Sequence, residues 1–125
     1  MEEGWRELGS RARAQPAPAH VVFDSLLGPH RPGARPWLEL LDDEIDPEVL
    51  AQDPPRLLVW SSLWPRHPRN RIRFDLTPDA TGGGCLLRWT LLTPDPHEPD
   101  DSHLGHLRKR LNVLVNERLR RSYGQ

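Results

Sequence analysis

The sequence has few of the features that hold small secreted or membrane proteins together. Among 125 residues there is one cysteine, Cys85, so no intramolecular disulfide can form. No apolar run approaches the roughly 20 residues that span a bilayer. The N-terminus also lacks a basic start followed by an apolar stretch. These absences predict a cytoplasmic protein without a membrane span.

Net charge is also scarce, at −1, and Lys109 is the only lysine among 17 basic residues. A chain without excess positive charge has no overall attraction to nucleic acid, so no nucleic-acid partner is expected. What the sequence does have is a hydrophobic content of 36% that includes five tryptophans. This composition predicts a folded core. The length predicts one domain over residues 1–125, in which residues 1–8 are expected to be a flexible N-terminal segment.

Proline and glycine divide the first part of the chain into short elements. Residues 9–15 alternate small apolar with polar side chains, which predicts a short edge strand. The stretch PAPAHVVFDSLLG then predicts a short helix that begins at Pro18 and ends at Gly28. Residues 29–36 contain three prolines and a glycine, which exclude a long regular element there.

The middle of the chain predicts a series of strands. Segments 37–45, 48–52 and 56–64 have strand length and are separated by turns that contain proline. The leucine and glutamate content of the first segment would also permit a helix. Segments 71–78 and 85–93 alternate apolar with polar residues, and the DATGGG turn between them predicts an antiparallel hairpin.

Residues 102–123 predict one long amphipathic helix at the end of the chain. Either Ser102 or Asp101 is a suitable N-terminal cap, and arginines near the other end suit the helix dipole. At about 100° per residue, six apolar side chains share one side of this helix. They are Leu104, Leu107, Leu111, Leu114, Val115 and Leu119. A set of strands followed by such a helix predicts an α+β fold in which the helix closes over the sheet.

This order of elements resembles the SRPBCC superfamily, the START-like or birch-pollen-allergen-like group that includes polyketide cyclases and heat-shock ATPase activators. The resemblance runs from about residue 9 to residue 123. It is carried by PAPAHVVFDSLL, PPRLLVWSSLW, the late hairpin RIRFDLTP with GGGCLLRWTLL, and HLRKRLNVLVNERLRR. It implies a helix-grip fold: a curved antiparallel β-sheet wrapped around a long C-terminal α-helix, with a short helix after the first strand. In many relatives a hydrophobic ligand occupies the space between sheet and helix. The short segment 29–36 implies that this space is shallow or filled here.

The predicted ligand site consists of the side chains expected to face this space. Pairing across the hairpin turns the apolar sides of both strands toward the helix, and the preceding strand adds further tryptophans. The same side chains also suit a filled core, since tryptophan occupies much volume. The predicted site residues are Trp60, Ser62, Trp64, Ile72, Phe74, Leu87, Trp89, Leu107, Leu111, Leu114 and Arg118.

Arg118 lies at the same helical angle as the apolar side chains and therefore needs an anionic partner. A buried guanidinium would be compensated by a ligand carboxylate or phenolate. Alternatively, Arg118 lies in the last turns beyond the sheet, where its head reaches water or a carboxylate such as Glu39 or Asp42.

No catalytic residue, metal site or cofactor is predicted. His103 and His106 are three residues apart, but no cysteine or second histidine pair stands at ligand spacing. The serines lack a G-x-S-x-G turn, and a buried Cys85 is expected to act as a small hydrophobe. Acid–base chemistry would need a titratable group in the pocket, for which only Glu39 is a candidate.

The sequence therefore predicts a protein that binds or transports a small hydrophobic molecule, such as a lipid, without catalysis. A polyketide cyclase- or aromatase-like enzyme is one alternative. Another is a co-chaperone or ribosome-directed interaction module, which would use the outer sheet face or the basic residues of the last helix. No residue requires a particular oligomeric state.

Overall fold

The computed structural model describes residues 4–33, 35–97 and 100–124. Five strands and two helical regions follow one another along the chain. The first strand, β1 (Arg6–Gln15), precedes helix α1 (Ala19–Leu27). The remaining elements are β2 (Val49–Asp53), β3 (Leu57–Ser61), β4 (Arg71–Pro78), β5 (Cys85–Thr93), helix α2 (Asp101–Leu111) and a π-helical segment (Asn112–Leu119).

All five strands form one antiparallel, curved sheet in the order β1-β5-β4-β3-β2. The predicted hairpin is confirmed as the pair β4 and β5, in which Phe74 lies opposite Trp89 and Leu76 opposite Leu87. The predicted edge strand is confirmed as β1, which starts at Arg6, three residues earlier than expected. Of the N-terminal segment expected to be flexible, residues 1–3 lie outside the described part of the chain.

Helix α2 and the π-helical segment run on without a break and together are called the C-terminal helix. Its six predicted apolar side chains are all buried against the sheet, so the predicted α+β helix-grip fold is confirmed. The N-terminal cap is neither Ser102 nor Asp101 but Asp100, whose Oδ1 accepts a hydrogen bond of 2.9 Å from the His103 backbone N–H. Asp100 stands three residues before that N–H, which is the spacing of a capping carboxylate.

The predicted strand over residues 37–45 is wrong. This segment is an irregular strap in which the neighbouring residues Trp37 and Leu38 are both buried. A strand would have pointed them to opposite faces. Its backbone is bonded within the strap and to the turn after β3 instead of in a sheet ladder, since Glu44 N–H donates to Leu41 O and Ile45 N–H donates to Leu63 O.

The short helix after β1 is confirmed, with Pro18 before its first residue and Gly28 as its C-terminal cap. Its apolar side packs into the same core as the sheet and the C-terminal helix. The predicted strand 56–64 is shorter than expected and ends at Ser61. The chain turns at Ser62, whose Oγ accepts from the Trp64 N–H at 3.0 Å and donates to Trp64 O at 3.2 Å.

Candidate functional site

Ten of the eleven predicted site residues lie inside the protein, between the sheet and the C-terminal helix. All ten are buried, and most belong to one apolar core. The rings of Trp60 and Phe74 meet edge to face with 4.7 Å between centroids, and Trp60 stacks on Trp37 at 6.0 Å. The predicted side chains are therefore brought together, and they pack against one another. Their contact with a ligand stays a prediction.

The three indoles among the predicted site residues also have their polar atoms paired within the protein. Trp60 Nε1 donates to Leu26 O at 3.0 Å, which ties β3 to the end of α1. Trp64 Nε1 donates to Glu44 Oε2 at 3.2 Å, and Trp89 Nε1 donates to Asn112 Oδ1 at 3.0 Å. These bonds hold each indole in one orientation, as expected for core tryptophans.

Arg118 lies away from this interior, at the edge of the strap. Its guanidinium forms an ion pair with Glu39, and its Nε donates to Trp37 O at 3.3 Å. This is the contact expected if Arg118 reaches a strap carboxylate rather than a ligand anion. Both side chains are partly exposed, so the pair is worth little stability by itself.

A second, more deeply buried ion pair joins the strap to the C-terminal helix. Arg110 donates to both carboxylate oxygens of Glu44, at 2.8 and 2.9 Å, and the Leu41 N–H adds a bond of 2.9 Å. Burial opposes ionisation of Glu44, but the bonds from Arg110, Leu41 and Trp64 together hold the pKa of this carboxyl below its usual range. Glu44 is thus an ionised structural partner whose side chain is 0% exposed.

The largest of the described grooves, about 640 Å³, lies where β1 meets the C-terminal helix. One wall is formed by residues 11–13 of β1 and the other by residues of the C-terminal helix from Gly105 onward. The helix wall consists of Gly105, Arg108, Lys109, Asn112, Val113, Asn116 and Glu117. This groove is the candidate functional site.

Strand register explains why arginines line this groove. Residues opposite one another in neighbouring strands point to the same face of the sheet. Arg11 lies opposite Trp89, and Arg13 lies opposite Leu87, so both arginines stand on the side of the sheet that faces the helix. The alternating pattern predicted the strand, but it gave no indication that the polar side would face the helix.

The groove is held together by bonds from side chains to backbone carbonyls. Arg108 donates to Leu8 O through Nε at 2.8 Å, and Arg13 donates to Asn116 O at 3.0 Å. Leu8 lies at a bulge in the pairing of β1 with β5, so its carbonyl is available. Gly9 allows the crossing because a Cβ there would lie 2.8 Å from Arg108 Nε.

The helix wall of the groove is mostly π-helical. Asn112, Val113, Asn116 and Glu117 belong to this wider helix, which is uncommon and often found at functional sites. Sequence reasoning missed this feature because the residues have ordinary helical periodicity and no glycine or proline marks the change.

The similarity of this chain to known proteins lies in its structure and not in its sequence. No family model and no curated protein matches the sequence. Among solved structures, CalU16 from Micromonospora echinospora aligns with a TM-score of 0.65 and 18% identity, over 90% of this chain and 71% of that protein. The chain shares the helix-grip fold of CalU16.

Two further solved structures lead to the same conclusion. DynU16, described as a putative protein in the dynemicin biosynthetic locus, aligns at TM-score 0.67 and 20% identity over 99% of this chain. The chain spans about half of DynU16, 48% of its length. The Aha1 dimer from Colwellia psychrerythraea aligns at 0.62 and 14% identity, over 90% of this chain and 92% of that one. At these identities the likeness establishes the helix-grip fold alone.

Within this helix-grip fold, the groove lies at one edge of the space between sheet and helix. Central parts of that space hold the packed indoles, whereas the edge beside β1 is open. The other four described grooves have volumes of 190 to 520 Å³, and Arg118 is the one predicted site residue among their linings.

Outside the groove, two histidines form a contact that the sequence did not predict. His67 in the loop after β3 and His103 in the first turn of α2 bring their Nε2 atoms to 2.6 Å, so one must donate to the other. His106 stacks on His103 with 6.4 Å between ring centroids. Among the described residues no three or more metal-binding side chains converge.

Two remaining sequence predictions concern Cys85 and the membrane. Burial, reinforced by nearby Asp79, raises the pKa of the Cys85 thiol to about 11, so it is protonated and unreactive at neutral pH. In the parts of the chain that the structure covers, no helix combines the length and the apolar character needed to cross a bilayer.

Proposed function

We propose that this protein binds a small organic molecule, without transforming it, in the groove between β1 and the C-terminal helix. The observation that carries the proposal is the groove itself. Its volume of about 640 Å³ lies within the range of known small-molecule sites. Val113 and Ala12 add apolar surface beside polar side chains, so the lining suits an amphipathic ligand better than a purely apolar one.

The absence of catalysis is proposed from the titratable groups near the groove. Glu117, the carboxylate in its lining, is exposed and forms no side-chain hydrogen bond or ion pair with the described residues that would position it as a base. The buried acid Glu44 is already engaged by Arg110 and Trp64, and the Cys85 thiol is protonated. A cyclase-like reaction therefore gains no support from these groups.

Binding of a hydrophobic ligand in the interior, as expected from the sequence, is the second form of the proposal. It would require the packed rings of Trp60, Phe74 and Trp89 to separate and would break the bond from Trp89 Nε1 to Asn112. The ten buried residues among the predicted eleven would then contact the ligand directly, whereas Arg118 lies outside the interior. If the ligand binds in the groove instead, these interior residues support the wall of the groove and do not contact the ligand.

Gly105 permits a direct test of the groove. It is exposed in the middle of α2, and no heavy atom lies within 4 Å of where its Cβ would be. Gly105→Leu should therefore leave the fold intact while its side chain enters the groove. Gly105→Ala is the matched control, since it adds helix propensity but little volume.

The experiment screens organic fragments for thermal stabilisation and maps the hits by amide and indole NMR shifts. The groove proposal expects shifts at residues 11–13 and 105–117, with binding at least about tenfold weaker in Gly105→Leu, which corresponds to about 1.4 kcal/mol. Hits that shift the tryptophan indoles and ignore Gly105→Leu would indicate the interior instead. If no fragment binds, the binding function is wrong.

A protein-interaction module gains no specific support. Five large apolar side chains are 38–50% exposed, but they belong to four separate segments: α1, the strap, β2 and β5. Single exposed apolar residues are ordinary in monomeric proteins and do not define an interface.

A further inference from the structure

The groove is positively charged although the protein is not. Its lining contains the cations Arg11, Arg13, Arg108 and Lys109 and the carboxylate Glu117. Four positive charges and one negative charge leave a local charge of +3, against −1 for the whole chain. A concentration of one sign in a groove attracts ligands of the other sign.

Two of these cations have no partner within the described chain. Arg13 and Arg108 donate to backbone carbonyls, whereas the side chains of Arg11 and Lys109 form no hydrogen bond or ion pair with any described residue. Arg11 stands on the strand wall and Lys109 on the helix wall. An anion in the groove can therefore meet a free cation from either side.

Asn116 adds a polar group of known orientation to the helix wall. The indole N–H of Trp89 can only donate, so the atom of Asn112 that it contacts at 3.0 Å must be the oxygen. That oxygen also accepts from Asn116 Nδ2 at 3.1 Å, which fixes the Asn116 amide as well. The remaining atom, Asn116 Oδ1, is therefore an acceptor.

This acceptor is unsatisfied. Asn116 is 3% exposed, and its Oδ1 has no hydrogen-bond partner among the described residues. Leaving a buried acceptor unpaired costs free energy that a donor from a bound molecule would recover. Asn116 lines the groove, but its Oδ1 is itself covered, so a donor reaches this oxygen only if the groove floor opens slightly when a ligand binds.

We infer that the groove takes an organic anion that also carries an O–H or N–H donor. The anionic group lies between Arg11 and Lys109, and the donor binds Asn116 Oδ1. This inference rests on the proposed binding function and names its ligand class. Charge-assisted bonds to the cations select the anion, and the buried acceptor rejects analogues that lack the donor.

Three related probes separate these two requirements. 6-Hydroxy-2-naphthoate has both groups, 6-methoxy-2-naphthoate lacks the hydroxyl donor, and 6-hydroxy-2-naphthamide lacks the charge. Calorimetry should give the first the lowest Kd, with each of the others weaker by about tenfold. Binding of the two naphthoates should weaken between about 0.1 M and 1 M salt, whereas binding of the amide should not.

Variants assign each preference to its residues. Arg11→Met with Lys109→Met should remove the preference for the naphthoate over the naphthamide, whereas Arg121→Met, on an exposed helix cation outside the groove, should not. Asn116→Leu should remove the preference for hydroxyl over methoxy. Trp89→Phe provides a second route to that loss, since it releases the amide of Asn112 and with it that of Asn116. Melting curves confirm which variants are folded.

The outcomes distinguish this inference from the proposed function. Equal binding of naphthoate and naphthamide, or of the hydroxy and methoxy probes, would overturn the ligand class while the groove function stands. If none of the three probes binds, the ligand class is likewise wrong. The groove function itself falls only if hits of the fragment screen are insensitive to Gly105→Leu or if there are no hits.

Discussion

The interior and the groove are built from the same rows of paired residues across the sheet. These rows are apolar in the interior and charged where they reach the groove. One helix-facing row runs from Leu58 through Phe74 and Trp89 to Arg11. On β3, β4 and β5 its residues are buried, and on β1 the row ends in a charged side chain. At an edge strand a long side chain can lie along the sheet while its charge stays in water. This difference puts the groove, and with it the proposed ligand site, at the margin of the sheet.

The two regions also differ in how their polar atoms are paired. The indole N–H groups of Trp60, Trp64 and Trp89 all have partners, whereas unpaired buried side-chain atoms in the described chain include Gln15 Oε1 and Asn116 Oδ1. Both belong to the junction of β1 with the C-terminal helix, where Gln15 Nε2 also donates to Val115 O. A third unpaired atom, Asn70 Nδ2, lies just before β4. The polar atoms of the three indoles are thus paired within the protein, whereas the junction of β1 with the C-terminal helix keeps hydrogen-bond acceptors without a partner.

The largest effect should come from emptying the interior. Trp60→Ala removes a side chain that is 1% exposed, together with its ring contacts and its bond to Leu26 O. We expect a loss of about 3–5 kcal/mol in the free energy of unfolding, measured by urea denaturation. Arg11→Ala in the groove is the matched comparison and should change stability by less than about 0.5 kcal/mol. Similar losses for both would mean that the groove is part of the core.

The strap should be nearly as sensitive at its buried ion pair. Glu44→Gln leaves Arg110 without a counter-charge, and breaking such a pair costs about 3 kcal/mol. A double-mutant cycle with Arg110→Met should be strongly non-additive, since the two residues act as a unit. Glu39→Gln, which breaks the exposed pair with Arg118, is the control and should cost less than about 1 kcal/mol. Additive effects at Glu44 and Arg110 would contradict the role assigned to the pair.

The same carboxylate, Glu44, should also make stability depend on pH in acid. The pKa of Glu44 in the folded protein lies below its ordinary value of 4.5, so its stabilising contribution is present above that pH and is lost as the pH falls further. Glu44→Gln should therefore flatten the acid limb of a plot of stability against pH. If the variant and the parent chain lose stability in parallel below this pH, Glu44 is not the group responsible.

A smaller effect of opposite sign is expected on the groove side. Gly105→Ala should raise the free energy of unfolding by up to about 1 kcal/mol, because alanine favours the helix and meets no neighbouring atom. Gly9→Ala should instead be destabilising, since its Cβ would collide with Arg108. The pair of glycine substitutions, compared by thermal unfolding, checks which wall of the groove has free space.

The smallest effect concerns the histidine pair. Burial, with the charges of His103 and Arg66, lowers the pKa of His67 below its ordinary value of 6.5. The unfolded chain then takes up a proton more readily than the folded one, so stability should decrease as the pH falls through that value. His67→Gln should reduce this slope, followed by melting temperature between about pH 7 and 5. If the melting temperature of the variant falls with pH as steeply as that of the parent chain, His67 is not the group responsible.

Much of the fold could be predicted from local patterns. The alternation in β4 and β5 predicts their faces, and Gly28 and Pro18 mark the ends of α1. The strap could not be predicted in this way. Its buried residues have no regular period because they are placed by contacts with Arg110 and Trp64, far away in the sequence. Ten of the eleven predicted site residues lie together in the interior, their contact with a ligand stays a prediction, and the groove beside them was missed.

By itself, the sequence determined which residues are apolar, at what period they recur and where turns interrupt them. Those properties decide the elements, the sides of the strands and the helical stripe that pack together, since burial of apolar surface dominates folding. Only the tertiary structure decided that Arg11 and Lys109 stand on facing walls and that Asn116 keeps an unpaired oxygen. Charge placement across an edge and hydrogen-bond pairing depend on neighbours distant in the chain, which no local period encodes.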